Sequence, residues 1–418
     1  MSSRVWSVRS LGFFILPLAG LLTPLLAIPA ITSQFGASGW AAVAIGQSIG
    51  TAVAVLVELG WGLSGPQRVA RLADNAAYRL LAYALQTKFI VYAPLAVVSG
   101  FLAYSLAHSH NIEAALVAVG FSSMGLTASW YFVGRTRPWL LLGTEGLCRF
   151  VAIAIASALL LLGAPLIVYP LVGLIVPAFL APLFALLVAR RGSNVKAMFL
   201  SPARLLFMIR AQGSAVSARA VSSIYIALPV ALVSIVSPSS VAIFAAGERL
   251  LRITLGGLAA VPNSLQGWVG GSSTRAVRVR RAELAVLINV GLGVVAAVIF
   301  GLLAPFASKL IFTNAATIPP ELAWAVAAVL FVVCISRSTG NIALVALGRV
   351  KYVLVSALAG ALIGTPALLL LAHLMGAVGA AVAELVSEAL VLAIQGSVIL
   401  RDRKRPATRP AAARSAEP

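Results

Sequence analysis

Ten ionisable side chains stand inside segments that are otherwise apolar. They are Arg149, Arg219, Arg249, Arg252 and Arg337, with Glu58, Glu145, Glu248, Glu384 and Glu388. Two chemistries are open to them. A guanidinium presents a planar fork of donors that matches phosphate oxygens. A carboxyl group in an apolar setting can exchange a proton or hold a cation. Glu145 precedes Arg149 by four residues, and Glu248 precedes Arg252 by four. That order is the favourable one on a single helix face. Each pair is either a neutralising pair that permits insertion into an apolar medium, or part of a cavity wall whose arginines face an anionic ligand. Arg219, Arg249 and Arg337 have no partner at helical spacing. They are expected to line a ligand cavity, or else to pair across helices with Glu384 or Glu388. Glu384 and Glu388 are themselves four apart, so they share a face and repel. Each must be protonated, or paired with Arg219 or Arg337, and both a coupling site and a structural network remain open. Glu58, ahead of Gly60 and Gly62, is assigned a structural role.

Other chemistry is poorly represented. His108 and His110 flank a short turn, and His373 is far from both in sequence. No glycine loop ends in Lys-Ser/Thr, so ATP-driven transport by this chain alone is not expected. Cys148 and Cys334 lie in apolar runs and read as small hydrophobes rather than metal ligands or a disulfide. No cofactor is expected.

The elements that must position these charges follow from composition. Of 418 residues, 61% are hydrophobic and 10% charged, whereas soluble domains run near half and a quarter. Disorder is excluded, and a soluble enzyme is disfavoured. A bilayer-crossing helix needs ~20 apolar residues. Twelve such segments are expected, at 11–32, 39–62, 81–107, 111–134, 139–163, 166–189, 214–237, 239–263, 284–306, 322–347, 351–373 and 376–400. The fold class is therefore all-α and polytopic. The first segment is too long for a signal-peptide core and reads as an uncleaved span. Prolines 17, 24, 29, 170, 177, 182, 229 and 262 are expected to kink their spans.

Linkers alternate in character. The odd ones, such as Ser33–Ser38, Ala107–Asn111, Ser237–Pro238 and Leu374–Met375, are short and carry little charge. The even ones hold Arg68 and Arg71, Arg135 and Arg137, Arg190 and Arg191, Arg275 through Arg281, and Arg349 with Lys351. By the positive-inside rule both termini are cytoplasmic, in a cell membrane. The net charge of +20 is thereby a topology signal rather than a nucleic-acid footprint, and no nucleic-acid partner is expected. The organisation reads as an N-terminal six-span half over 1–189, an amphipathic cytoplasmic linker over 190–213, a second six-span half over 214–400, and a basic disordered tail over 401–418. Leu26 to Ala30 and Ile226 to Val230 resemble one another, as repeated halves of secondary transporters do.

Several stretches resemble the Wzx polysaccharide flippases. Phe35-Gly36-Ala37-Ser38-Gly39-Trp40, with Gly46, is similar to that family's first external joint. Glu58-Leu59-Gly60 followed by Arg68 and Arg71 resembles the end of its second span. Arg219 through Tyr225, Pro229, and Val241 through Arg252 resemble its spans seven and eight. The resemblance covers nearly the whole chain. It implies the multidrug/oligosaccharidyl-lipid/polysaccharide exporter superfamily, with two six-helix lobes around a central cationic cavity. It also implies alternating-access transfer of a lipid-diphosphate-linked oligosaccharide to the outer leaflet. Glu248, Arg249 and Arg252 match the family's span-eight charges. Ser240-Val241 stands where the family often has Gly and another small or apolar residue, and the chain stops soon after span twelve, unlike the fourteen-span lipid II flippases.

The expected function is thus a flippase rather than an enzyme, with a lipid-linked glycan as substrate. Its other expected partners are membrane lipids, a glycan polymerase and glycosyltransferases. Arg149, Arg219, Arg249, Arg252 and Arg337 would bind substrate. Glu145, Glu248, Glu384 and Glu388 would pair with them or couple an ion. Rivals are a cation-coupled drug exporter of the same superfamily, a membrane glycan polymerase or ligase, and a non-transporting scaffold.

Overall fold

A computed structural model describes residues 3–195, 199–213, 226–271 and 274–403, with the side chains of 3–22, 24, 275, 402 and 403 outside that description. Arg219, most of the tail and the first part of span seven therefore lie outside the described residues. The fold is all-α, with two six-helix lobes around a central cavity and no strand among the described residues.

In the first half the helices are α1 (Ser3–Glu58), α2 (Trp61–Ala70), α3 (Asp74–Leu106), α4 (Asn111–Ser122), α5 (Ser129–Gly134), α6 (Pro138–Leu141), α7 (Leu147–Leu161) and α8 (Val176–Arg190). A short helix, α9 (Pro202–Ala211), follows. The second half holds α10 (Pro229–Val236), α11 (Val241–Leu258), α12 (Ala260–Gly270), α13 (Arg275–Ile311), α14 (Pro320–Ser338) and α15 (Lys351–Arg403).

Helices α1 and α15 have 56 and 53 residues. At 1.5 Å per residue either would be about 80 Å long, against a hydrocarbon core of about 30 Å. Each is therefore two spans folded back on one glycine. Gly36 turns α1 at φ 62°, ψ −156°. Gly376 turns α15 at φ 59°, ψ −135°. A residue with a Cβ is disfavoured there, and at Gly376 that Cβ would also meet Ser240 Oγ at 2.6 Å. Among the described residues eight helical stretches are long and apolar enough to cross a bilayer. The two folded ones count twice. The partly described span ending at Val236 and the charged α11 bring the total to the twelve expected.

Several spans are less regular than their hydropathy suggests. Span four breaks after Leu126, leaves Thr127 and Ala128 outside any helix, and resumes as α5. Spans five, six and ten contain π-helical stretches at Leu142–Gly146, Tyr169–Ile175 and Thr339–Leu344. The second of these begins beside Pro170, which has no N–H to donate. Pro182, by contrast, sits within a continuous α8. Span two stops at Glu58, where Leu59 and Gly60 both take positive φ. The basic exit beyond it is helical rather than a loop, because α2 packs on the break in span four. Trp61 stacks on Trp130 with centroids 5.0 Å apart, and a Cβ at Gly65 would fall 2.4 Å from the Trp130 ring.

The lobes are tied together near the Gly36 end. Trp40 Nε1 donates to Ala242 O at 3.1 Å, and its ring meets Phe312 at 5.1 Å. Ser48 Oγ donates to Ala227 O at 2.6 Å and accepts from Ala231 N–H at 3.2 Å. Thr313 and Thr32 share a hydroxyl hydrogen bond of 2.8 Å. One apolar cluster, containing Ile31, Trp40, Ala245, Leu322 and Ala380, runs continuously through both halves.

Candidate functional site

Helix α11 sends charge in two directions. Glu248 and Arg252 lie one turn apart on one face, and Arg249 is about 100° round the axis from Glu248. Glu248 and Arg252 line a cavity of ≈ 530 Å³ in the second lobe, together with Arg337 from α14 and Glu384 and Glu388 from α15. Arg249 reaches a cavity of ≈ 500 Å³ in the first lobe, whose walls include Thr127, Glu145, Arg149 and Tyr169. A narrow space of ≈ 80 Å³ lined by Gln47, Ser48, Glu248, Arg249 and Arg252 lies between them. The two larger cavities are in the usual size range of ligand sites, ~300–1,000 Å³.

In the second-lobe cavity the charges answer one another. Arg252 Nη2 donates to Glu248 Oε2 at 2.5 Å and to Ile226 O at 2.6 Å. The Arg252 side chain is 41% exposed and that of Glu248 8%, so the guanidinium opens onto the cavity while its partner is packed. Glu384 is an acidic neighbour of Glu248 and lines the same cavity. Glu388 accepts from Ser336 Oγ at 3.3 Å and is an acidic neighbour of Arg337. Three carboxyl groups thus face two guanidiniums.

The first-lobe cavity is different. Glu145 does not pair with Arg149 as the helical spacing predicts. Its carboxylate accepts the Thr127 hydroxyl at 2.5 Å and the Ala128 N–H at 2.6 Å. These donors exist because span four is broken there, and the π-helical turn at Leu142–Gly146 carries Glu145. Among the described residues Arg149 has no hydrogen bond or ion pair. Neither has Arg249, whose Nε is buried without a partner. An arginine without an acceptor in an apolar wall is costly, and both line the same cavity.

Of the predicted site residues, the structure gathers Glu145, Arg149 and Arg249 in one cavity, and Glu248, Arg252, Arg337, Glu384 and Glu388 in the other. Arg337, expected to line a ligand cavity or to pair with Glu384 or Glu388, lines the second-lobe cavity with Glu388 as an acidic neighbour. Arg219 is not described. Sequence reasoning missed Lys88, which was left with the basic residues outside the membrane. It lies in α3 at 0% exposure. A lone buried ammonium is strongly unfavourable, and this one is satisfied by donating from Nζ to Thr127 O at 2.8 Å, with Glu58 and Glu145 as acidic neighbours. The signal for the break that holds it was present. Ser122, Ser123, Thr127 and Ser129 cluster around Gly125 inside an apolar span. No cluster of three or more His, Cys, Asp or Glu suited to a metal occurs among the described residues.

No family model matches the sequence, and no curated protein matches it. Solved structures do. The lipid II flippase MurJ in an inward closed conformation is 13% identical, with a TM-score of 0.71, over 94% of this chain and 87% of that one. An inward-facing multidrug resistance MATE transporter of the MOP superfamily is 13% identical, with a TM-score of 0.57, over 95% of this chain and 99% of that one. A MATE structure in a bent conformation is 15% identical, with a TM-score of 0.55, over 95% of each chain. At these identities the likeness is one of fold: this multi-pass membrane protein shares the fold of the MurJ and MATE structures.

Proposed function

We propose that this chain is a transporter rather than an enzyme, and that it is a Wzx-like flippase. It would carry a polyprenyl-diphosphate-linked oligosaccharide from the inner to the outer leaflet for cell-surface polysaccharide synthesis. The observation that carries this reading is the pair of unpartnered guanidiniums, Arg149 and Arg249, in the first-lobe cavity. A diphosphate supplies the acceptors they lack, and each charge-assisted bond contributes ~1.5–3 kcal/mol. The glycan would occupy the central cavity, and the polyprenyl tail would stay in the bilayer between the lobes. Closure at the Gly36 end, by Trp40, Ser48 and Thr313, suits a state that loads from the opposite side. The lobes, proposed as 1–189 and 214–400 joined by 190–213, would rock about that contact. Both termini would be cytoplasmic, in the cell membrane, and a glycan polymerase and glycosyltransferases would act on either side of the step.

The test is reconstitution of the full chain into liposomes with a labelled lipid-diphosphate oligosaccharide, followed by measurement of the label reaching the far leaflet. Arg149→Ala with Arg249→Ala is expected to lower translocation at least ~100-fold at equal protein level. Undiminished translocation would sink the role of the first-lobe cavity. One observation favours a second reading, a cation-coupled drug exporter. The three carboxyl groups of the second-lobe cavity suit a cationic ligand or a coupling ion. Transport of a lipophilic cation, abolished by Glu248→Gln but indifferent to Arg149→Ala, would favour it.

A further inference from the structure

Span five carries a contradiction that its own spacing does not resolve. Glu145 and Arg149 are placed to neutralise one another, yet Arg149 is unpaired and Glu145 is fully occupied elsewhere. The occupant is the break in span four. Lys88 Nζ donates to the Thr127 carbonyl at 2.8 Å, which fixes the broken backbone at that point. Thr127 then offers its hydroxyl to Glu145 Oε2, and the next N–H, Ala128, goes to Oε1. Ser129 N–H donates to Thr127 Oγ at 3.1 Å, which orients the hydroxyl toward the carboxylate. Lys88 is fully buried, so this assembly is not a surface ornament.

We propose that Lys88 and Thr127 are positioning residues for the first-lobe anion site. By capturing Glu145 at the break in span four, they keep Arg149 free for the diphosphate. The inference rests on the reading of that cavity as the headgroup site, and it deepens it. Specificity for an anion here depends on withdrawing a carboxylate as much as on supplying a guanidinium. Without the capture, Glu145 would sit one turn from Arg149 in the favourable order and would compete with any phosphate.

The experiment measures binding of undecaprenyl diphosphate to the full chain in nanodiscs, for the wild type and for Thr127→Val, Glu145→Gln, the double variant of these two, and Arg149→Ala. Thr127→Val keeps the β-branched shape and removes the donor. It is expected to weaken binding ~10-fold, the scale of one charge-assisted hydrogen bond. Glu145→Gln in that background is expected to restore binding to within about twofold of wild type, because no carboxylate remains to occupy Arg149. Wild-type affinity in Thr127→Val overturns the proposal. So does a loss that Glu145→Gln fails to rescue, since that marks a merely structural role. A thermal-stability mutant cycle between Glu145 and Arg149 reads the same point without ligand. Coupling is expected near zero in wild type and favourable in Thr127→Val, and equal coupling in both backgrounds also overturns the proposal. If Arg149→Ala alone leaves binding intact, the cavity reading fails instead, while the mutant cycle still judges the capture of Glu145.

Discussion

Spans five and eight carry the same four-residue step from glutamate to arginine, and they do opposite things with it. In span eight, Glu248 and Arg252 close on one another at 2.5 Å along a regular helix. In span five, Glu145 turns away to two donors from the break in span four, and Arg149 is left open to the cavity. The difference lies in the competitors that tertiary structure supplies. A helix-face ion pair is worth only ~0.3–0.5 kcal/mol when exposed, whereas a backbone N–H and a hydroxyl freed by a broken helix have no other partner at that depth. The stronger demand takes the carboxylate. One lobe thereby acquires a cavity in which carboxyl groups outnumber guanidiniums, and the other a cationic one.

The largest expected effect tests the cationic side. Arg149→Ala with Arg249→Ala should weaken binding of a polyprenyl diphosphate at least ~100-fold, with little change in melting temperature, because neither side chain holds a protein partner among the described residues. Next in size is the opposite behaviour in span eight. Arg252→Ala leaves Glu248, 8% exposed, beside Glu384 without its cation. A destabilisation of about 2 kcal/mol is expected, scaled down from the ~3–5 of a fully buried broken pair because Arg252 opens onto a cavity. Thermal unfolding in detergent, compared with Arg149→Ala, checks it, and equal melting temperatures would break the contrast between the lobes. Smaller again is Trp40→Phe, which deletes the bond to Ala242 O. A loss of ~1 kcal/mol shifts the balance between closed and open Gly36 ends about fivefold, readable as a lengthened spin-label distance between the lobes there. The smallest effect is expected for Arg337→Ala. With Glu388 as its neighbour, that residue should leave diphosphate affinity within about twofold.

Much of this was legible in the residues. Hydropathy marks spans because lipid demands it, and the joint at Ser33–Ser38 was legible as a short polar break between two apolar runs. Helical spacing put Glu248 with Arg252 on one face and Glu384 with Glu388 on another. Three features were not legible. Lys88 is a single cation near the end of an apolar run, and only the fold shows that it points inward to Thr127 rather than out to water. The fate of Glu145 depends on donors eighteen and seventeen positions away in sequence, which no local spacing encodes. The helical exit after Glu58 depends on Trp130 receiving Trp61, a contact between spans.

The most direct measurement of the central claim is native mass spectrometry of undecaprenyl diphosphate bound to four single variants. They are Arg149→Ala, Arg249→Ala, Arg252→Ala and Arg337→Ala, compared at equal folded protein. Binding should fall about tenfold or more in the first two and persist in the last two. Loss confined to Arg252→Ala and Arg337→Ala, with Arg149→Ala and Arg249→Ala unaffected, would contradict the account and move the anion site to the second lobe.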